Sequence, residues 1–123
     1  MVEDVFLRGL KSSRQIKISV IGRRTGRTIT LPVWFVSEAS ALWLLPVHGR
    51  ETQWYQNVLA NPTITIQVGK ERRTLPAKAL KSPRAVERVV QSFRIKFTPE
   101  IIARLYPGPL NAAVKVKLQD TKP

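Results

Sequence analysis

Three arginines occur in a short segment that also contains two glycines. The segment runs Ile21, Gly22, Arg23, Arg24, Thr25, Gly26 and Arg27. A tight turn of this composition exposes backbone N–H groups, and arginine side chains bind phosphate through paired, charge-assisted hydrogen bonds. The segment is therefore a candidate phosphate-binding turn. The alternative is an ordinary exposed turn whose arginines serve solubility. Residue spacing alone does not distinguish a phosphate-binding turn from such a surface turn.

A second candidate is the loop that follows an apolar segment and contains Pro46, Val47, His48 and Gly49. Glycine lets a ligand approach backbone N–H groups closely. Histidine can donate or accept a proton near neutral pH. A lone histidine in a loop is more often a plain surface residue, so the loop is a candidate binding element that His48 alone does not establish.

Trp54 and Asn57 form a third candidate, three residues apart in a segment with helical periodicity. Residues at this spacing lie on one face of a helix. An indole ring and an amide on that face could bind a planar heterocycle through its ring face and its carbonyl groups. Burial of Trp54 as an ordinary core residue explains the pattern equally well.

The composition excludes several other chemistries. The chain has no cysteine and one histidine, so disulfides, thiolate metal sites and an all-protein zinc site are not expected. It contains neither a phosphate-binding P-loop nor the glycine fingerprint of a dinucleotide-binding fold. No catalytic residue can be named, and a cofactor would have to supply any redox chemistry.

The chain carries a formal net charge of +13. Such a surface attracts anions, which include nucleic acid, acidic lipid and small ligands with phosphate or carboxylate groups. No apolar run approaches the roughly 20 residues of a membrane span. The start of the chain lacks the order of a secretion signal, so a cytoplasmic location is expected.

Alternating apolar residues predict six strands, which would position the three candidate elements. They cover residues 15–21, 28–36, 41–47, 63–68, 72–80 and 112–118. Short helices are predicted near the N-terminus, over 51–60, after Ser82 and over 98–105. Pro32 predicts an edge strand or a bulge. Six strands with short turns favour one mainly β domain over residues 1–123, an antiparallel barrel. A chain of this size buries a limited surface, so a ligand crevice would need a second subunit.

These segments, in this order, resemble the deazaflavin-dependent nitroreductase family, a branch of the split β-barrel flavin-binding proteins that includes pyridoxamine phosphate oxidase-like enzymes. The match covers about half of the chain, from residue 21 to residue 79. The matching stretches are the turn at 22–26, Leu31–Pro32, His48–Gly49, the run from Trp54 to Pro62 and the glycine-terminated strand 63–69. The run Trp-Tyr-x-Asn-x-x-Ala-Asn-Pro is the most specific part.

The resemblance implies an FMN-binding type of six-stranded split barrel, a homodimer, and coenzyme F420 or FMN near the subunit interface. It implies that Arg24 contacts the cofactor phosphate and that Gly26 shapes the turn. Val47, His48 and Gly49 would lie beside the ring or the phosphate, and Trp54 and Asn57 would line the ring pocket. The implied reaction is hydride transfer from reduced F420 to a quinone or a nitro compound.

Three features depart from the family pattern. The loop that commonly has two glycines is here His48–Gly49, with a short link to Trp54. Ile29 stands where a second basic residue is usual, with Arg27 as a substitute, and the substrate-positioning tyrosines are reduced to Tyr106. At this point FMN and haem remain alternative cofactors. A basic barrel that binds nucleic acid and a non-catalytic flavin carrier or sensor remain alternative functions.

Overall fold

A computed structural model describes residues 5–13, 15–38 and 40–118. Within these ranges the chain forms four α-helices and seven strands. In chain order they are α1 (Val5–Ser12), β1 (Gln15–Ile21), β2 (Thr28–Trp34), β3 (Val36–Glu38), β4 (Ala41–Leu44), α2 (Gln53–Ala60), β5 (Thr63–Val68), β6 (Glu71–Leu80), α3 (Pro83–Phe97), α4 (Pro99–Leu105) and β7 (Ala113–Lys117). No helix in the described ranges is long and apolar enough to cross a membrane.

The strands form one antiparallel sheet in the order β2-β1-β5-β6-β7-β4-β3. β6 serves both halves of this sheet, because its first part pairs with β5 up to Pro76 and its second part pairs with β7 from Ala77. At the change-over the Ala77 N–H donates to the carbonyl of Pro62 at 3.0 Å. β2 and β3, at the two ends of the order, are consecutive in the chain, so the sheet curls into a half-barrel.

The expectation of six strands was wrong by one, because segment 28–36 is broken at Phe35. The side chain of Phe35 is fully buried, and its carbonyl accepts a hydrogen bond of 2.8 Å from Lys96 Nζ on α3. The chain therefore changes partner there, from β1 on one side to β4 on the other. β4 also ends earlier than predicted, at Leu44. Pro46 in the segment that follows has no N–H to donate to a ladder.

Pro32 lies on an edge strand, as predicted. It stands opposite Lys17 of β1, and β1 is the partner of β2 over the whole strand. The alternation of β1 is also confirmed, since Ile16, Ile18 and Val20 are buried. Side chains of a strand point alternately to the two faces of a sheet, and this apolar set faces the core.

The core has two parts. The first lies inside the curled sheet, where Phe6 of α1 and Tyr55 of α2 pack with strand residues such as Ile18 and Ile66. The second lies under α3 and α4 and contains Phe93 and Tyr106. Both helices begin as their sequences predicted: Ser82 Oγ accepts from Ala85 N at 3.3 Å, Thr98 Oγ1 accepts from Ile101 N at 3.3 Å, and each cap precedes a proline.

Candidate functional site

An open cavity of about 530 Å³ lies between β2, α2 and the segments after β4 and α4. Its apolar wall is one face of β2, formed by Ile29, Leu31 and Val33. On the opposite side α2 contributes Trp54 and Asn57. The loop after β4 contributes Val47 and His48, so two of the three sequence-predicted elements line the same cavity. Its remaining lining residues are Gln15, Pro32, Trp34, Leu45, Val47, His48, Thr52, Gln53, Leu105 and Tyr106.

Trp54 is both a core residue and a residue of the cavity lining. Its side chain is 5% exposed and packs in the first core part with Tyr55 and Val58. It also lines the cavity. A planar ligand would therefore meet an indole whose orientation the core already holds.

Arg23 joins the arginine-bearing turn to α2. Its backbone N–H and its Nη1 both donate to Asn57 Oδ1, at 3.1 and 2.7 Å. Its Nη2 donates to Gln53 Oε1 at 3.0 Å. The guanidinium of Arg23, a predicted cofactor-binding residue, is thus engaged within the chain, where it holds the turn against α2.

This contact also orients the Asn57 amide. Because two donors converge on Oδ1, the Nδ2 group must point elsewhere, and it donates to no residue in the described ranges. Asn57 is 3% exposed and lines the cavity. Because its unpartnered Nδ2 is not among the fully buried polar atoms, it is a donor that can be reached from the cavity.

We expect Arg23 and Asn57 to be energetically coupled. Asn57→Leu should lower the free energy of unfolding by about 2 kcal/mol and Arg23→Ala by about 1 kcal/mol, because hydrogen bonds to a buried oxygen are lost. The double variant should lose about 1 kcal/mol less than the sum, since both changes remove one shared bond. Urea denaturation of the four proteins measures this, and strictly additive losses would show that the contact does not stabilise the fold.

The turn itself is closed by its own backbone. Gly22 N–H donates to the Arg27 carbonyl at 2.8 Å, Gly26 N–H donates to the Gly22 carbonyl at 2.8 Å, and Arg27 N–H donates to Thr25 Oγ1 at 3.1 Å. Gly26 has φ +74°, a left-handed conformation that favours glycine. The turn is therefore a defined structure between β1 and β2.

This geometry leaves four donor groups of the turn without a described partner. They are the guanidinium groups of Arg24 and Arg27 and the backbone N–H groups of Arg24 and Thr25. All of these residues are exposed. Adjacent cations and backbone donors are the chemistry that binds a phosphate or carboxylate. Because Arg23 contacts Asn57, the turn lies beside the cavity, although none of residues 22–27 is among the lining residues.

The backbone donors of the loop after β4 are bonded within the chain. The N–H groups of residues 48–52 are all engaged within the chain, for example His48 with Thr52 Oγ1 at 2.8 Å and Gly49 with the Pro46 carbonyl at 3.1 Å. They are not available to a ligand. Val47 and His48 are exposed and line the cavity, whereas Pro46 and Gly49 are buried and are not among its lining residues.

Gly49 is required by packing instead. Its φ is +60°, and a Cβ there would collide with Asn111 Oδ1 and approach the Pro109 carbonyl to 2.6 Å. Asn111 Oδ1 also accepts from Arg50 N–H at 2.9 Å. The segment before β7 therefore holds the loop in place.

Tyr106 is a cavity residue that the sequence indicated through the family resemblance alone. Its ring packs edge-on against Phe93, with centroids 5.9 Å apart. Its hydroxyl bonds to none of the described residues. Burial raises the pKa of Tyr106, so the hydroxyl keeps its proton at pH values above the ordinary tyrosine range.

The β2 wall of the cavity was not among the predicted site residues. Its alternating apolar residues, Ile29, Leu31 and Val33, were the signal that could have identified it from the sequence.

Comparison with known proteins identifies a family whose profile matches this chain. The profile described as F420H2-dependent quinone reductase matches residues 7–97, about three quarters of the chain. That range contains all the predicted site residues and ends before Tyr106. No curated protein matches the chain at a significant level.

Similar solved structures support the fold. The structure of an F420-H2 dependent reductase, FDR-A, is 20% identical, covers 84% of this chain and 93% of its own, and has a TM-score of 0.64. A structure described as a domain-swapped dimer is 21% identical, covers 84% of this chain and 79% of its own, and has a TM-score of 0.65. A putative pyridoxamine 5'-phosphate oxidase from Listeria innocua is 13% identical, covers 90% of this chain and 88% of its own, and has a TM-score of 0.65.

At these identities the structures establish the fold, and they confirm the split-barrel type. The family profile confirms the relationship that the motifs indicated, together with the oxidoreductase class and with F420 as the cofactor. The chain therefore belongs to the F420H2-dependent quinone reductase family.

Proposed function

We propose that the cavity between β2 and α2 binds coenzyme F420 and that this chain uses it to reduce a quinone. The observation that carries the proposal is the proximity of two unlike surfaces. One is an apolar cavity lined by Trp54, and the other is a turn whose cations Arg24 and Arg27 bond to no described residue. F420 has the same two parts, a planar deazaflavin ring and an anionic side chain with a phosphate.

The residues present fit these two parts. Val33 and Trp54 offer apolar contact to a ring, and Asn57 Nδ2 offers a donor to a ring carbonyl. Arg24 and Arg27 offer charge-assisted hydrogen bonds to the phosphate, a role expected of Arg24 from the family resemblance. Ile29, in place of a second family cation, adds to the apolar wall, and Arg27 supplies the second charge.

When bound, F420 supplies hydride chemistry, and the contribution of this chain is to bind, orient and exclude water. Trp54 would support one face of the ring, and the open side of the cavity would admit a flat acceptor to the other. Hydride transfer needs the reacting atoms about 3–3.5 Å apart, so positioning dominates. Tyr106 holds a proton on its hydroxyl at the cavity wall, where it would donate a hydrogen bond to the acceptor oxygen that gains negative charge.

The Tyr106 hydroxyl is expected to assist turnover. Tyr106→Phe should lower kcat for menadione about tenfold and leave the affinity for F420 unchanged, because packing on Phe93 is kept and one donor is lost. Since burial raises the pKa of Tyr106, the wild-type rate should show no loss from its ionisation up to about pH 10. Steady-state rates over pH measure both effects.

Tyr55→Phe is the matched control. The Tyr55 hydroxyl is buried without a partner in the described structure, so its removal should leave turnover unchanged and should not lower the free energy of unfolding. Equal losses of kcat in the two variants would remove the proposed role of Tyr106.

The function is tested by mixing the protein with reduced F420 and menadione and following reoxidation of F420 by its absorbance. We expect catalysed reoxidation, saturable in both substrates, and much weaker binding of FMN than of F420. Tight binding of F420 without turnover would indicate a carrier. Equal affinity for FMN would contradict the cofactor assignment.

Three further expectations belong to this proposal. Nitro compounds should serve as acceptors beside quinones, because both are flat and accept hydride.

The chain should form a homodimer. This expectation is supported by Ile29 on the open β2 wall, an apolar side chain that is 43% exposed. Residues 1–123 should fold as a single domain. Sedimentation velocity at rising protein concentration tests the dimer.

A further inference from the structure

A second cleft, of about 520 Å³, lies on the outer side of the sheet where β4, β6 and β7 meet α3. Its apolar surface is formed by Trp43, Leu80 and Val89. None of its lining residues lines the first cavity. The cleft is therefore separate from the first cavity. It borders the second part of the core, to which Val89 also belongs.

Three cations border this cleft: Lys78, Arg88 and Lys115. Lys78 and Lys115 stand directly opposite each other on β6 and β7. None of the three forms an ion pair with any described residue. Like charges directly opposite in a sheet destabilise it, so the pair carries a repulsion that a bound anion would relieve.

The cleft also contains one carboxylate, Glu38, which is bonded to another lining residue, Ser92. Glu38 Oε1 accepts a hydrogen bond of 2.7 Å from Ser92 Oγ. The Glu38 carbonyl accepts from Trp43 Nε1 at 3.3 Å, which holds the indole in place. Lys115 Nζ lies 5.5 Å from the centroid of that indole. An aromatic surface and a rim of three cations against one carboxylate thus face the same space, so the rim carries a net positive charge.

We propose that this cleft is a binding site for a small amphipathic anion, an aromatic carboxylate being the class that fits best. The ring would pack on Trp43 and Leu80, and the carboxylate would accept hydrogen bonds from Lys78, Lys115 and Arg88. A cavity of this size suits a small organic ligand. The proposal is independent of F420 binding, since the two cavities share no residue.

Titration with 1-naphthoate, followed by amide and indole NMR shifts, tests the site. The Trp43 indole N–H and the amides of Lys78 and Lys115 should shift together. The uncharged 1-naphthalenemethanol should bind at least about tenfold more weakly, the effect of losing a charge-assisted hydrogen bond. Shifts confined to Trp54 and Tyr106 would overturn the proposal.

Two pairs of variants on the same elements sharpen the test. Arg88→Gln and Lys115→Gln should each weaken naphthoate binding about tenfold. Arg84→Gln and Lys117→Gln, which remove exposed cations of α3 and β7 outside the cleft, should leave it unchanged. Lys115→Gln should also raise the thermal midpoint of the free protein, because the repulsion with Lys78 is gone.

Equal naphthoate affinity in all four variants would overturn the assignment. So would binding to phosphatidylglycerol vesicles in the absence of any naphthoate binding, since the surface would then serve a membrane rather than a small molecule.

Discussion

Replacing Arg24 and Arg27 together by alanine is expected to weaken F420 binding about a hundredfold, and each single replacement about tenfold. Both guanidinium groups lie on the turn between β1 and β2 and bond to no described residue, so their full hydrogen-bonding capacity is available to an anion. The affinity should also fall as salt is raised, because the contact is ionic and exposed. Fluorescence titration of F420 measures these affinities.

Arg72→Ala is the matched control for this pair. Arg72 is also an exposed arginine beside a hairpin turn, between β5 and β6, and does not line the cavity. Its loss should change F420 affinity less than about twofold, the range of a distant surface charge. The double variant should remain within about 0.5 kcal/mol of wild type in unfolding free energy, as surface substitutions do. Unchanged F420 affinity in the double variant would refute the proposed anion-binding turn.

Gly49→Ala is expected to lower the free energy of unfolding by about 3 kcal/mol. A left-handed φ costs a non-glycine residue about 1–2 kcal/mol, and overpacking adds about 1–3 kcal/mol. Both apply, since φ is +60° and the new Cβ would collide with Asn111 Oδ1 and lie 2.6 Å from the Pro109 carbonyl. Urea denaturation measures the loss, and the displaced loop should also weaken ligand binding in the neighbouring cavity.

Gly69→Ala separates the two causes. Gly69 also has φ +60°, but a Cβ there would meet nothing within 4 Å. It should therefore lose only the conformational contribution, about 1–2 kcal/mol. Equal losses at the two glycines would show that contact with the 109–111 segment contributes nothing to the requirement at Gly49.

Local patterns were sufficient to predict most of the elements. Alternation located β1 and β5, and a hydroxyl before a proline located the starts of α3 and α4. The break at Phe35 was not predicted, and the partner of the Phe35 carbonyl is Lys96, 61 residues later in the chain. A continuous β-type pattern contains no sign that one carbonyl will be bonded by a distant helix.

The candidate site could be predicted only in part, because some of its contacts join residues that are distant in sequence. Sequence motifs and family resemblance selected the arginine-bearing turn and Trp54, and the structure brings the turn to α2 through a contact between Arg23 and Asn57. Which arginine would make that contact depends on the direction of each side chain in the turn, and spacing does not reveal it. The packing requirement at Gly49 likewise depends on Asn111, 62 positions away in sequence, which no local motif indicates.

A crystal structure of the protein with F420 bound tests the central claim most directly. We expect the deazaflavin ring between Trp54 and the β2 wall, with its phosphate within hydrogen-bonding distance of Arg24 or Arg27. A ring located outside this cavity, or a phosphate bound on another face with both arginines in solvent, would contradict the claim.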